Sequence, residues 1–348
     1  MSTGSILVVD DEASNLAAMR EALGGEFALI FATNGVEALE AVARHHPALV
    51  LLDVRMPVMD GYETCQRLKA APTTADIPVI FVTSQDDLDD ELTGFDLGAV
   101  DYIAKPVQAQ IVRARVRTHL HLVRAGRLEQ AYEEAINMLG MCGHYNDNDT
   151  GNHIWRMAAY ARALARAVGW TEDDCHDLQA AAPMHDTGKI GIPASILKKP
   201  GPLTPEEWSV MKTHCAIGHA ILSNSRAPVF RLAAEIAMRH HEKWDGSGYP
   251  DGLAGQAIPE SARIVAVADV FDALTMRRSY KDAWPVELAV AQLHDYAGNH
   301  LERRLVDRFV SILPEILAIK RSWAEREAHV EADDGLGVAR PQRSSEGG

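Results

Sequence analysis

Residues 240–250 read HHEKWDGSGYP, and the second half of the chain is organised around them. Two adjacent histidines, His240 and His241, precede an acid, Glu242, and then a loop in which Gly246, Gly248 and Pro250 disfavour helix. Neighbouring side chains on a helix point about 100° apart, so two adjacent imidazoles rarely enter one apolar core together. They can ligate neighbouring metal ions instead, because neutral imidazole is the commonest protein ligand for transition metals. Taken alone, the stretch reads equally well as a solvated helix end running into a tight turn. The rest of the chain decides.

A length of 348 residues allows two or three domains, and 47% hydrophobic content is ordinary for packed globular domains. The net charge of −15 argues against a general binder of DNA or of membrane surfaces, which would carry a basic patch. It leaves room for a small anionic ligand, because a metal site supplies positive charge locally. Cys65, Cys142, Cys175 and Cys215 are scattered without a CxxC pair and read as reduced thiols of a cytoplasmic protein. The opening MSTGSILVVDDE lacks the pattern of a signal peptide, and no run of 18 apolar residues predicts a membrane span.

Over residues 1–123, short runs rich in β-formers alternate with helical patterns. The runs are Ile6 to Val9, Ala28 to Phe31, Leu49 to Leu52, Pro78 to Val82 and Tyr102 to Ala104. The stretches Asn15 to Leu23, Gly35 to His45 and Tyr62 to Ala70 between them have helical spacing. This alternation predicts a doubly wound α/β domain with a parallel sheet, whose ligands bind beyond the carboxyl ends of the strands. Polar residues collect there: Asp10, Asp11, Asp53, Thr83 and Lys105. One such acid reads as a strand-end cap, but five polar groups at one edge do not. Three converging carboxylates call for a hard cation such as Mg²⁺, and a carboxylate beside it can attack phosphorus.

The segments VVDDE, LLDVRMPVMDGYE, VTS and DYIAKP closely resemble the receiver domain of two-component response regulators. The resemblance implies Asp53 as phospho-acceptor, Asp10 and Asp11 as the Mg²⁺ pocket, and Thr83 and Lys105 as switch and phosphate-contacting residues. It implies a sensor histidine kinase as partner, and it places Tyr102 at the family's mobile aromatic position.

From about residue 108 to 141, Ile111, Val116, Leu120, Val123, Leu128, Tyr132, Ile136 and Leu139 recur mostly at steps of three and four, interrupted only by Gly126. One long amphipathic helix is expected, with residues 124–141 as a linker that pairs with a second copy in a homodimer. The alternative is that this stripe packs on its own chain.

Residues 142–322 show helical periodicity throughout, which predicts an all-α bundle joined by the long helix to the α/β domain. Candidate ligands are Asp149, His153, His185, Asp186, His214, His240, His241 and Asp269. Asp149 and His153 would share a helix face if Gly151 allows it. His185 and Asp186 sit in HDTGKIGIP, where a helix is expected to end at Gly188. Asp269 lies in the apolar run RIVAVADVFDAL, where a carboxylate is costly to bury without a cation. Asp272 reads as a supporting hydrogen-bond partner. His176, His219 and His294 read as surface or packing residues. Mixed imidazole and carboxylate ligation without a cysteine pair suits iron, manganese or, less specifically, zinc.

His185-Asp186 together with HHEKWDGSGYP resembles the HD-GYP subfamily of HD-domain phosphohydrolases, and DTGNH, KTHCAIGH and RIVAVADVFDALT fit the same pattern. The resemblance implies a site of two or three iron or manganese ions that hydrolyses cyclic di-GMP to pGpG or GMP. The implied ligands are His153, His185, Asp186, His214, His240, His241 and Asp269, with Asp186 bridging. Lys189, Arg277, Tyr280 and Lys281 fall where members contact substrate, and partners of the diguanylate cyclase type are a further implication. Asp149 stands where three-metal members have Glu, so its shorter arm leaves the third ion open. Ala194 and Ser279 also depart from the pattern. Two readings stay beside the phosphodiesterase: a module that binds cyclic di-GMP or a protein without cutting, and an enzyme for another nucleotide. The tail 323–348 mixes charge, Gly and Ser and is expected to be disordered.

Overall fold

The computed structural model describes residues 4–83, 91–144, 153–276 and 283–334. The chain divides into two compact units at Ala131 and Tyr132.

In the first unit, strands β1 (Ile6–Val9), β2 (Leu29–Ala32), β3 (Leu49–Asp53), β4 (Val79–Thr83) and β5 (Asp101–Ala104) form one parallel sheet in the order β2-β1-β3-β4-β5. The helices are α1 (Ala13–Leu23), α2 (Gly35–His45), α3 (Gly61–Ala70), α4 (Glu91–Asp96) and α5 (Ala109–His144). Both sheet faces are covered, so successive strand residues are buried in turn on opposite sides. Leu7, Val9, Leu52 and Phe81 enter one core with Ala38 and Val42 of α2 and Leu68 of α3. Ile6, Val8, Leu51 and Val82 enter the other with Met19 and Leu23 of α1 and Val112 and Val116 of α5. Side-chain caps start α2 and α3: Asn34 accepts from the Glu37 N–H and Asp60 from the Glu63 N–H.

Helix α5 is continuous over its 36 residues, Gly126 included. Ile136, near its far end, belongs to the core of the second unit. That unit is helical: α6 (His153–Ala167), α7 (Glu172–Ala181), α8 (Ala194–Leu197), α9 (Pro205–Lys212), α10 (His214–Leu222), α11 (Pro228–Arg239), α12 (Glu260–Thr275), α13 (Val286–Tyr296), α14 (Arg303–Ser311) and α15 (Leu313–Asp334). Its core is built from Met157, Tyr160, Leu164, Leu178, Ile236, Val267, Phe271, Leu305 and Phe309, among others.

Three elements differ from the sequence expectation. The helix before His185 ends at Ala181, not Gly188, because Pro183 cannot continue it, and 3₁₀ turns at Ala182–Met184 and Thr187–Gly191 follow. The helix expected from Glu206 to His214 is two helices. It breaks at Thr213, whose hydroxyl donates to the Val210 carbonyl (2.6 Å), so His214 heads a helix of its own. Helix α15 runs to Asp334, into the stretch expected to be disordered. Its last turns are rich in Ala, Glu and Arg, which favour helix, and the Arg326 guanidinium covers the Trp323 ring at 5.1 Å.

Candidate metal centre and receiver pocket

The receiver pocket follows from strand order. β1 and β3 are sheet neighbours in register Val9↔Leu52, so Asp10 and Asp53 leave the sheet side by side. Asp10, Asp11 and Asp53 each offer a carboxylate oxygen within 4.8 Å of the others. The Lys105 ammonium bridges two of them, 2.9 Å from Asp10 Oδ2 and 2.9 Å from Asp53 Oδ1. The other oxygen of Asp10 accepts from the Glu12 N–H and from Asn15 Nδ2, both at 2.9 Å. Burial, reinforced by the Asp10 charge, holds Asp53 above the usual carboxylate range against the pull of Lys105. Burial works against charge on Lys105, yet the two carboxylates hold its pKa above the usual value. Thr83 is buried at the end of β4, where its carbonyl accepts from the Lys105 N–H at 2.7 Å. Tyr102 is buried with its ring 5.3 Å from Phe81 and 5.1 Å from Phe95.

In the second unit the geometry converges on Asp186. The 3₁₀ turn after it folds Lys189 back, and the ammonium lies 2.8 Å from Asp186 Oδ2. Three imidazoles present Nε2 to the same carboxylate: His185 at 3.3 Å, His214 at 3.4 Å and His240 at 3.7 Å. Their opposite nitrogens are tied to their own backbone. His185 Nδ1 meets the Ala182 carbonyl at 2.8 Å, His214 Nδ1 the Met211 carbonyl at 2.7 Å, and His240 Nδ1 the Ile236 and Ala237 carbonyls at 3.1 Å. A carbonyl only accepts, so Nδ1 carries the proton in each ring and Nε2 is left as a lone-pair donor.

His241 completes the group. Asp186, His214, His240 and His241 offer ligand atoms within 4.8 Å of one another. His240 Nε2 is buried and has no hydrogen-bond partner among the described residues. Lone pairs and carboxylate oxygens at these separations repel, and a divalent cation between them turns the arrangement into ligation. The donor set therefore fits a metal.

Burial also favours the neutral form of three of these rings. It pushes His240 well below its usual pKa, His241 down to about 3, and His214 below its usual value against the pull of Asp186. At His185 burial pulls downward too, but the Asp186 and Asp269 charges outweigh it and the pKa is raised.

The backbone makes the convergence possible at Gly188. A Cβ there would lie 1.9 Å from the His214 carbonyl oxygen and 2.4 Å from the Gly218 nitrogen, so the turn after Asp186 lies directly on the start of α10. Gly248 plays a similar part beside His241, where a Cβ would meet the Lys243 nitrogen at 2.3 Å.

Asp269 and His153 are not among those four residues. Asp269 is half-buried on α12, and its charge acts on His185 and Tyr249. His153 is buried at the head of α6, with Nδ1 3.8 Å from Asp272 Oδ2. Asp272 is clamped by Arg156 through two hydrogen bonds of 2.7 and 3.1 Å. Asp149, Arg277, Tyr280 and Lys281 lie outside the described residues.

Two supporting residues were not singled out in the sequence. Arg156 is a buried cation one turn after His153, a position that in itself calls for a carboxylate partner. Glu242 is buried, and its two oxygens accept the N–H groups of Asp251 (3.0 Å) and Leu253 (2.9 Å). It thereby closes the loop that carries Tyr249. The signal was an acid directly after two candidate ligands and before a glycine-rich loop, whose N–H groups need an acceptor.

The family model for the response regulator receiver domain matches residues 6–117, and that for the HD domain matches residues 121–305. The chain is 39% identical to a probable cyclic di-GMP phosphodiesterase of Vibrio cholerae, covering 94% of this chain and 82% of that protein. It is also 39% identical to the cyclic di-GMP phosphodiesterase response regulator RpfG of Xanthomonas campestris, covering 87% of this chain and 86% of RpfG. A stretch amounting to 56% of this chain is 43% identical to 37% of a 3'3'-cGAMP-specific phosphodiesterase of Vibrio cholerae.

Proposed function

Since the chain belongs to the response regulators that join a receiver domain to an HD domain, we propose that its helical unit hydrolyses cyclic di-GMP at the Asp186 centre under control of the receiver. The observation that carries this reading is the convergence of three backbone-tethered imidazoles on one carboxylate with a lysine beside it. His153, His185, Asp186, His214, His240, His241 and Asp269 would hold two iron or manganese ions, and Asp149 bears on a third. When bound, these ions supply a water acidic enough to attack at neutral pH and a Lewis-acid clamp on the phosphodiester.

The chain's own groups account for the rest. The Nδ1 ties fix three imidazole planes before any ligand arrives, which lowers the reorganisation cost at the moment of reaction. Lys189 is held at Asp186 Oδ2 and takes up the negative charge that grows on the phosphoryl oxygens. Arg277, Tyr280 and Lys281 follow α12 in sequence and would receive the phosphates and guanines. In the receiver, Asp53 is the phosphoryl acceptor for a sensor histidine kinase, with Mg²⁺ held by Asp10, Asp11 and Asp53. Phosphorylation adds charge beside Lys105 and biases the receiver toward a second state. Helix α5 exposes Leu122, Leu128, Met138 and Met141, and a homodimer paired along this helix would cover part of this apolar surface. Proteins of the diguanylate cyclase type are candidate partners.

The test is product analysis. Manganese- or iron-loaded protein mixed with cyclic di-GMP is expected to give pGpG or GMP, and chelation to stop it. Absence of product with cyclic di-GMP overturns the reading. The 43% identity to a 3'3'-cGAMP-specific enzyme favours one second reading, so 3'3'-cGAMP belongs in the same assay. Control by the receiver fails if Asp53→Asn and phosphorylated wild type match in activity and in solution mass.

A further inference from the structure

Helix α9 is anchored at its start by a full capping box: the Thr204 hydroxyl accepts from the Glu207 N–H, and the Glu207 carboxylate accepts from the Thr204 N–H at 2.7 Å. Yet this eight-residue helix buries none of its side chains. It carries Trp208, which is 44% exposed, and Lys212 one turn later on the same face. A well-capped helix that contributes nothing buried to the core and holds an indole in solvent has some other use for that ring.

The surroundings of Trp208 indicate the use. Its ring lies 6.1 Å from that of Tyr249, at an interplanar angle of 78°, so the two form a corner. The Lys212 ammonium lies over both rings, 5.4 Å from the Tyr249 centroid and 5.9 Å from the Trp208 centroid. Tyr249 in turn lies nearly parallel to His241, with ring centroids 4.7 Å apart and planes 30° apart. A row of neighbouring rings thus runs from the His–Asp centre through Tyr249 to an exposed indole that Tyr249 meets edge to face, with the Lys212 ammonium over the last two. The Glu242 clamp on Asp251 and Leu253 holds the Tyr249 side of the corner in place.

A flat heteroaromatic ring attached to a phosphodiester suits this arrangement. With the phosphodiester at the centre, the ring would enter the corner face-on to one aromatic and edge-on to the other, and the ammonium would meet a second phosphate. We propose that Trp208 and Tyr249, with Lys212, form a stacking subsite for one purine base of the substrate, so that Trp208 contributes to substrate affinity. The inference rests on the phosphodiesterase reading above.

The test is steady-state kinetics of the manganese-loaded full chain with cyclic di-GMP. Trp208→Ala is expected to raise KM about tenfold, as for loss of one base stack, and to leave kcat within about twofold. Trp208→Leu keeps an apolar side chain, larger than alanine's, without the π face and should behave the same way. It also keeps the test decisive if the alanine variant folds poorly. Trp208→Phe should restore most of the loss. An unchanged KM in both the Ala and Leu variants, a loss confined to kcat, or a Phe variant as weak as Ala overturns the subsite while leaving the phosphodiesterase standing. Absence of turnover by the wild type overturns both.

Discussion

The two ion pockets of this chain share one motif: a lysine ammonium on a buried carboxylate, at 2.9 Å in the receiver and 2.8 Å in the helical unit. Around that motif they differ. In the receiver the lysine bridges two carboxylates and the remaining donors are oxygen, drawn from neighbouring strand ends. In the helical unit one carboxylate faces several imidazoles, drawn from the end of a 3₁₀ turn at His185, the start of α10 at His214 and the end of α11 at His240. An oxygen-only pocket with a built-in ammonium suits a hard ion that arrives and leaves with the phosphoryl group. An imidazole-rich pocket whose rings are fixed by their own backbone suits a transition metal that stays. On this reading one chain would hold a pocket for a transient charge and a pocket for a resident one.

The sharpest way to break this contrast is to remove Asp186. Asp186→Ala, alone or with His185→Ala, should lower cyclic di-GMP turnover by about 10³-fold or more, since several kcal/mol of charge stabilisation are lost. Metal content should fall with it while the circular dichroism spectrum stays helical. Retained turnover would refute the assignment of this pocket.

Next comes the support behind it. Arg156→Met strands the buried Asp272 carboxylate and should destabilise the helical unit by about 3–5 kcal/mol, measured by denaturant unfolding. Burial already raises the pKa of Asp272, with Arg156 opposing it. A carboxyl whose folded pKa lies above its unfolded one binds its proton more tightly in the fold. Its contribution to stability is present in acid and is lost as pH rises through the folded pKa. The deficit of Arg156→Met should therefore shrink as pH falls from 8 toward 5, and a deficit that grows in acid would contradict the argument.

Lys189→Ala should cost about 10²–10³ in kcat, the range for one lost donor to developing charge, with a smaller change in KM. The smallest expected effect lies in the receiver. Asp53→Asn removes a carboxylate whose charged form is disfavoured by burial. It should raise the receiver's melting temperature by about 2–4 °C in magnesium-free buffer while abolishing phosphorylation by acetyl phosphate, read by mass spectrometry. An unchanged or lower melting temperature would mean that Lys105 already balances the pocket.

The receiver was legible because its signals are local. Each strand is a short run of Val, Ile, Leu or Phe, and the polar residues that matter stand at the run's end, so Asp53 and Lys105 could be placed from strand ends alone. The candidate ligand residues of the helical unit were legible as residue types but not as geometry. Nothing in the spacing of His185 and His214 shows that their Nε2 atoms meet at Asp186, because that depends on 3₁₀ turns set by Pro183 and on a break at Thr213. Arg156 and Asp272 stand 116 residues apart, and no periodicity pairs them. The continuation of α15 to Asp334 was missed for a different reason: its composition is as charged as a solvated tail, yet it is also that of a good helix.

Gly188 carries no functional group, yet its hydrogen sits where any larger substituent would collide with the His214 carbonyl. In a random-mutagenesis screen scored on activity, position 188 should therefore stand out as sharply as a ligand, and no chemical rescue or added metal would restore it. A residue identified by loss of function alone would here be mistaken for part of the chemistry, when what it supplies is the space in which the chemistry is assembled.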